Sequence, residues 1–202
     1  NCLPLNEGER RAFAKAARDV PQEFVGDEAH RGDMVWSAAV PEELRSRATA
    51  VIGNFPVSQA SQYTRLEWLQ TFSAGVDAYI CPGVLPRGTM VTNASGAYGQ
   101  SVSEHMFATM WALMKNLNRY ASNQRDHQWQ DEGPVLSPEG GIALIIGVGD
   151  IGSHFAQLAQ SVGMRTFGVR RHADVPAKGI EKMYGFERLE TLLPLADVVA
   201  MA

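Results

Sequence analysis

Residues Gly141 to Gly152 read GIALIIGVGDIG. Ile142 to Ile146 form an apolar run of strand length. Gly147, Gly149 and Gly152 follow at G-x-G-x-x-G spacing. Ile151, Phe155, Leu158 and Val162 then recur on one helical face, and Gly163 stands where a helix would stop. The stretch predicts a strand, a tight turn and a helix. Each glycine has a physical role. The first permits the turn, the second lets backbone approach a pyrophosphate, and the third brings helix close to strand. The helix start offers free N–H groups and about half a positive charge to an anion. Gly147, Gly149, Asp150, Ile151 and Gly152 are therefore candidate dinucleotide-binding residues. The same pattern also suits a structural βα turn in another α/β protein, or a site for a different nucleotide cofactor.

Arg165 to Val169 reads as the next strand. An NAD site usually carries Asp or Glu about 20 residues past the motif start, bonded to the ribose hydroxyls. Here Arg170, Arg171 and His172 stand instead. A carboxylate would repel the 2′-phosphate of NADP, whereas guanidiniums hold it by bidentate bonds. One charge-assisted bond, at about 1.5–3 kcal/mol, shifts preference roughly tenfold to a hundredfold. NADP(H) is expected over NAD(H). The alternative leaves both arginines as solvated loop charges and gives the ribose to Asp174.

Composition narrows the remaining choices. The chain has 202 residues, a formal charge of −4, 45% hydrophobic and 20% charged residues, as ordinary water-soluble domains do. No apolar run reaches membrane-spanning length and no charged-then-apolar leader opens the chain, so no membrane partner is expected. Modest acidity gives no electrostatic case for nucleic acid. Cys2 and Cys81 provide neither a disulfide framework nor a CxxC metal site. No metal is expected, and a reducing cytoplasm is the simplest setting. Asn1 opens without Met, and LADVVAMA stops at Ala202 within a buried-strand pattern, so further residues are expected beyond it.

Before the glycine motif the pattern is again α/β. Asn6 and Glu9 predict a capped helix to about Ala17. Glu23 to Val25 predicts a short strand and Pro41 to Arg47 a short helix. Ala48–Ile52, Leu66–Phe72 and Thr89–Thr92 read as strands, each running into a turn: Gly53-Asn54, Ser73-Ala74-Gly75, and Asn93 to Gly96. Ligands of open α/β sheets collect beyond the carboxyl ends of strands, so these turns face the substrate. Ser101 to Glu104 predicts a capping box for a helix with an apolar stripe of Met106, Met110, Leu113, Met114 and Leu117, read as core packing. Residues 122–140 are a polar connector with Trp129 as its expected anchor. Lys182–Tyr184, Phe186–Leu193 and Asp197–Met201 read as strand, helix and strand.

Four segments, LQTFSAGVDAY (69–79), VTNASGAYGQSVSEH (91–105), GVGDIGSHFAQLAQSVGMRTFGVRR (147–171) and LETLLPLADVVAMA (189–202), together resemble the D-isomer-specific 2-hydroxyacid dehydrogenase family, including its glyoxylate/hydroxypyruvate reductases. The resemblance covers residues 65–202 well and the first 60 loosely. It implies an α/β fold of two Rossmann-like or flavodoxin-like lobes with parallel sheets and a cleft between them. Residues 1–97 are then the N-terminal part of the substrate lobe. Residues 98–202 are the first half of the NAD(P)-binding lobe, incomplete in this chain. It also implies that backbone N–H groups of Ser73, Ala74, Gly75 and Val76 hold a substrate carboxylate, with Gly75 free to take φ > 0 and aim them. The residues alone favour an ordinary tight turn closing a strand. Asn54 and Phe55 are candidates for a substrate-facing wall, and Tyr98 and Ser101 for approach to a nicotinamide. A homodimer joined partly through the Ser101–Leu117 helix is a further implication.

The family's catalytic Arg, Glu and His are expected beyond Ala202. His30, His105, His127, His154 and His172 do not match its proton donor, so no catalytic residue is assigned in this chain. The implied activity is NAD(P)H-dependent reduction of a short 2-oxo acid, or the reverse oxidation of a D-2-hydroxy acid. The alternative is a non-enzymatic dinucleotide-sensing regulator on the same fold.

Overall fold

The computed structural model describes residues 1–33 and 36–202, and the chain divides into two units, Asn1–Ser95 and Gly96–Ala202. In the first unit, helix α1 (Glu7–Ala17) opens on the expected capping box. The Asn6 side chain accepts the Glu9 N–H at 2.9 Å, and the Glu9 carboxylate accepts the Asn6 N–H at 3.0 Å. The short helix α2 (Glu42–Arg45) follows Pro41. Strands β1 (Ala50–Ile52) and β2 (Trp68–Gln70), helix α3 (Asp77–Ile80) and strand β3 (Met90–Thr92) complete the unit. The sheet order is β1-β2-β3, all parallel, with Val51 beside Leu69 and Leu69 beside Val91. Its core joins Val51, Leu69, Phe55, Tyr63, Tyr79 and Cys2. The strand predicted at Glu23–Val25 does not form. Asn1 donates to the Glu23 carbonyl and accepts the Val25 N–H, and no ladder follows.

The second unit opens with helix α4 (Gly99–Met114). It begins two residues before the predicted capping box, with Tyr98 at its N-cap. Ser101 lies inside the helix, and the Glu104 carboxylate accepts from Gln100 Nε2 at 3.0 Å rather than from a cap backbone N–H, so the box does not exist. The predicted methionine stripe is interrupted. Met110 and Met114 are buried and Met106 packs beside them, but Leu113 and Leu117 are exposed. Asn116 enters the left-handed region (φ 54°), a conformation Asn tolerates, and the chain restarts as α5 (Leu117–Arg125). Trp129 anchors nothing: it is fully exposed.

From Ile142 onward the predicted pattern holds. Strand β4 (Ile142–Ile146), helix α6 (Asp150–Ser161), strands β5 (Arg165–Val169) and β6 (Lys182–Tyr184), helix α7 (Leu189–Leu192) and strand β7 (Val198–Met201) follow in order. The sheet is β6-β5-β4-β7, all parallel. That is one half of a doubly wound sheet, with the first strand of the motif at the switch between β5 and β7. Ala143, Leu144 and Ile145 are wholly buried because both faces are covered. Ala143 and Ile145 pack with α4 and α6, and Leu144 packs with Phe167, Val169 and Leu192. The buried face of α6 is Gly152, Phe155, Ala156 and Ala159, rotated from the apolar stripe; Ile151, Leu158 and Val162 are half-buried at its edge.

Candidate functional site

The β4–α6 turn is shaped by what its glycines lack. Gly147 takes φ +91°, and its N–H donates to the Val169 carbonyl at 2.9 Å, tying the turn to β5. A Cβ on Gly152 would strike the Gly147 carbonyl oxygen and lie 3.1 Å from Ile145 Cγ2. No other residue lets α6 come this close to β4. Gly149 is the opposite case: a Cβ there would meet nothing within 4 Å. The first helical bond of α6 runs from Ser153 N–H to the Gly149 carbonyl. Ahead of it, the N–H groups of Val148, Gly149, Asp150, Ile151 and Gly152 meet no acceptor among the described residues. Five free donors at the positive end of a 12-residue helix, beside an open glycine, form a cradle suited to a diphosphate.

The Asp150 side chain turns out of that cradle. Both carboxylate oxygens lie 2.5 Å from where a Cβ on Gly99 would be, so the group rests against the start of α4. Its Oδ1 is 3.4 Å from His154 Nδ1. A side chain at Gly99 would push the Asp150 carboxylate aside, a contact the sequence hid because the two residues lie on different elements.

The residues beyond β5 separate into two kinds. Arg170 is tied down: its guanidinium donates to the carbonyls of Val148 (3.1 Å), His172 (3.0 Å) and Val175. It closes the loop onto the glycine turn. Arg171 and His172 are exposed, and Arg171 makes no hydrogen bond or ion pair among the described residues. Asp174 is exposed as well.

In the first unit the β2–α3 loop also presents bare amides. The N–H groups of Ser73, Ala74, Gly75 and Val76 meet no acceptor among the described residues, and Ala74 and Gly75 are exposed. Gly75 does not enter the left-handed region, contrary to expectation. Side-chain hydrogen bonds shape this loop instead. Asn54 supplies two of them, accepting the Phe72 N–H at 3.2 Å and donating to Ser73 Oγ at 3.2 Å. Phe55 forms no substrate-facing wall. It is 1% exposed and stacks on Tyr63 at 4.3 Å. Tyr98 and Ser101 are exposed at the start of α4. A hollow of about 400 Å³ lies elsewhere in this unit, lined by Glu42, Glu43, Ser46 and Gln62. Its two carboxylates disfavour an anionic acid.

None of the five histidines is hydrogen-bonded to a glutamate among the described residues; His30 pairs with Asp33 and His154 with Asp150. Among those residues no group of three His, Cys, Asp or Glu side chains is placed to hold a metal ion. No helix among them is long and apolar enough to cross a membrane.

Residues 107–202 match the NAD-binding domain of the D-isomer-specific 2-hydroxyacid dehydrogenases. A family protein of that description from Aeromonas salmonicida subsp. salmonicida A449 superposes with a TM-score of 0.75 at 25% identity, covering 96% of this chain and 60% of that one. The family match falls within the second unit, Gly96–Ala202. A glycerate dehydrogenase of Methylorubrum extorquens is 25% identical over 171 residues, 80% of this chain and 52% of that protein. The NADPH-dependent glyoxylate/hydroxypyruvate reductase of Sinorhizobium meliloti, solved with NADP and sulfate, shares the fold at a TM-score of 0.68 and 18% identity, over 96% of this chain and 58% of that one. The chain spans about half the length of the curated relatives it matches first.

Proposed function

We propose that the protein is an oxidoreductase that reduces a short 2-oxo acid of the glyoxylate or hydroxypyruvate type with NADPH, or oxidises the D-2-hydroxy acid in reverse. The observation that carries this reading is the β4–α6 turn, with its five free N–H groups and the open space at Gly149. When bound, the nicotinamide supplies the hydride. The chain supplies grip and orientation. Val148 to Gly152 hold the diphosphate by backbone N–H groups, Asp150 through its amide rather than its carboxylate. Arg171 and His172 are the free groups that meet a 2′-phosphate, and Arg170 holds their loop closed. Ser73 to Val76 hold the carboxylate of the 2-oxo acid.

In this proposal residues 1–97 serve the substrate and residues 98–202 the coenzyme. Two copies join through the Ser101–Leu117 stretch, where Leu113 is 64% and Leu117 51% exposed. Cys2 and Cys81 are both free thiols, which suits a reducing cytoplasm. Titration of the full-length protein with NADPH and NADH, followed by coenzyme oxidation over a panel of 2-oxo acids, tests the core of the reading. Tighter binding of NADPH and turnover of glyoxylate or hydroxypyruvate are expected. Equal affinity for both coenzymes removes the 2′-phosphate assignment, and no turnover of any 2-oxo acid removes the activity.

A further inference from the structure

The Ser73–Val76 loop has its carbonyls, not its amides, fixed by the protein. The Ser73 carbonyl accepts the buried Thr71 hydroxyl at 2.8 Å and the Ala94 N–H at 3.2 Å. The Ala74 carbonyl accepts Asn93 Nδ2 at 2.7 Å. The Gly75 carbonyl accepts Ser73 Oγ at 3.0 Å, and that oxygen in turn accepts Asn54 Nδ2 at 3.2 Å. Three successive carbonyls are thus held.

A trans peptide unit is planar, and its C=O and N–H point in opposite directions. Fixing the carbonyls of residues 73, 74 and 75 therefore fixes the N–H groups of Ala74, Gly75 and Val76, each turned away from its clamp. These are the amides that find no acceptor among the described residues. Asn93 is the one donor on the Ala74 carbonyl among those residues, so it governs the Gly75 N–H. Its own Oδ1 accepts the Ser95 N–H at 3.2 Å, which fixes the amide's orientation. The Gly75 backbone lies outside the left-handed region, so glycine conformation does not set their direction.

We infer that Asn93, with the hydroxyls of Thr71 and Ser73, is a positioning residue: it holds the backs of the loop peptides so that their N–H groups converge on the carboxylate of the 2-oxo acid. The inference rests on the carboxylate assignment proposed above. Pre-ordering removes an entropy cost that binding must otherwise meet, about 1–2 kcal/mol for one backbone residue.

The test is steady-state kinetics on the purified full-length protein with Asn93→Ala and, independently, Ser73→Ala, which frees the Gly75 carbonyl. Neither change adds a charge beside the anion. Each should raise KM for glyoxylate about five- to thirtyfold. The kcat and the KM for NADPH should move less than about twofold. A merely structural role would instead lower the melting temperature and kcat together and leave the glyoxylate KM alone. That result, or an unchanged KM in both variants, overturns the inference while the parent enzyme's turnover still stands. A parent protein that reduces no 2-oxo acid overturns both.

Discussion

The loop after β4 and the loop after β2 both end in a run of unpaired N–H groups, and they reach that state by opposite means. After β4 the backbone does it alone. Gly147 turns at φ +91°, Gly152 removes a side chain that would strike the Gly147 carbonyl, and a 12-residue helix carries the donors. After β2 no glycine of the loop is left-handed and the helix that follows has four residues. There the side chains of Asn54, Thr71, Ser73 and Asn93 hold the peptides from behind. The first device is written in six adjacent residues. The second is assembled from three turns of a sheet. Damage to the first should break the fold with the site, whereas damage to the second should spoil only its aim.

Gly152→Ala gives the largest effect. The added methyl meets a backbone carbonyl, and the Gly147 turn is itself bonded to β5. A cost at the top of the overpacking range, about 3 kcal/mol, is expected, with NADPH affinity falling more than about a hundredfold. Thermal melting with coenzyme titration checks both. A variant of parental stability would show that the turn relaxes freely, and the contrast between the loops would disappear.

Alkaline pH separates the units next. Burial pushes the Cys2 thiol up from an ordinary 9.0 to about 11, and burial raises Tyr63 and Tyr79 in the same core. Each neutral form is favoured by folding. The Cys2 contribution is therefore whole below pH 9 and is lost as pH rises through about 11. At pH 10.5 the loss is about 2 kcal/mol. The shifted groups of the second unit, Arg165 and Glu181, form an exposed pair with no titration in that window. Urea unfolding at pH 8 and pH 10.5 should show the drop in the parent and most of it removed in Cys2→Ala. An equal drop in both would assign the pH effect elsewhere.

What could be read from the residues follows the same division. β4 is legible to the residue because a buried parallel strand is a continuous apolar run, and the glycine spacing sits on the chain beside it; β5 and β6 also fall on their expected residues, although Arg165 and Lys182 open them exposed. The box at Asn6 and Glu9 is legible because both partners lie within one turn. The box at Ser101–Glu104 matches the same spacing and fails, since the helix has already begun at Gly99. An anchoring role for Trp129 rests on its size alone, and nothing local says that it stays in solvent. Of the Asn93 clamp, only the turn is visible. Its partner at Ala74 lies across the sheet, and register is a tertiary fact.

Gly149→Ala tests whether the open glycine is open for a ligand. The backbone there has a negative φ of −100°, so alanine meets no left-handed penalty, and the methyl would touch nothing in the chain. Stability should stay within about 0.5 kcal/mol of the parent, as for a surface substitution. NADPH affinity should nevertheless fall about thirtyfold, a difference near 2 kcal/mol, because the methyl takes the diphosphate's place. Parental affinity would mean that the diphosphate never comes near Gly149, and the cradle would have to be read as a structural turn.

The two arginines after β5 give the smallest and most selective effect. They are adjacent and alike in charge, but only Arg171 is free; Arg170 spends its donors on Val148, His172 and Val175. Arg171→Ala should weaken NADPH about tenfold, the lower end for one charge-assisted contact, and leave NADH unchanged. Arg170→Ala should weaken both coenzymes alike, because it releases the Val148 carbonyl and the loop that carries Arg171. Coenzyme dissociation constants for the two variants decide the matter. If Arg170→Ala alone changed the NADPH-to-NADH ratio, the tethers on Arg170 would have to open when coenzyme binds, and the backbone-built loop would prove to depend on a side chain after all.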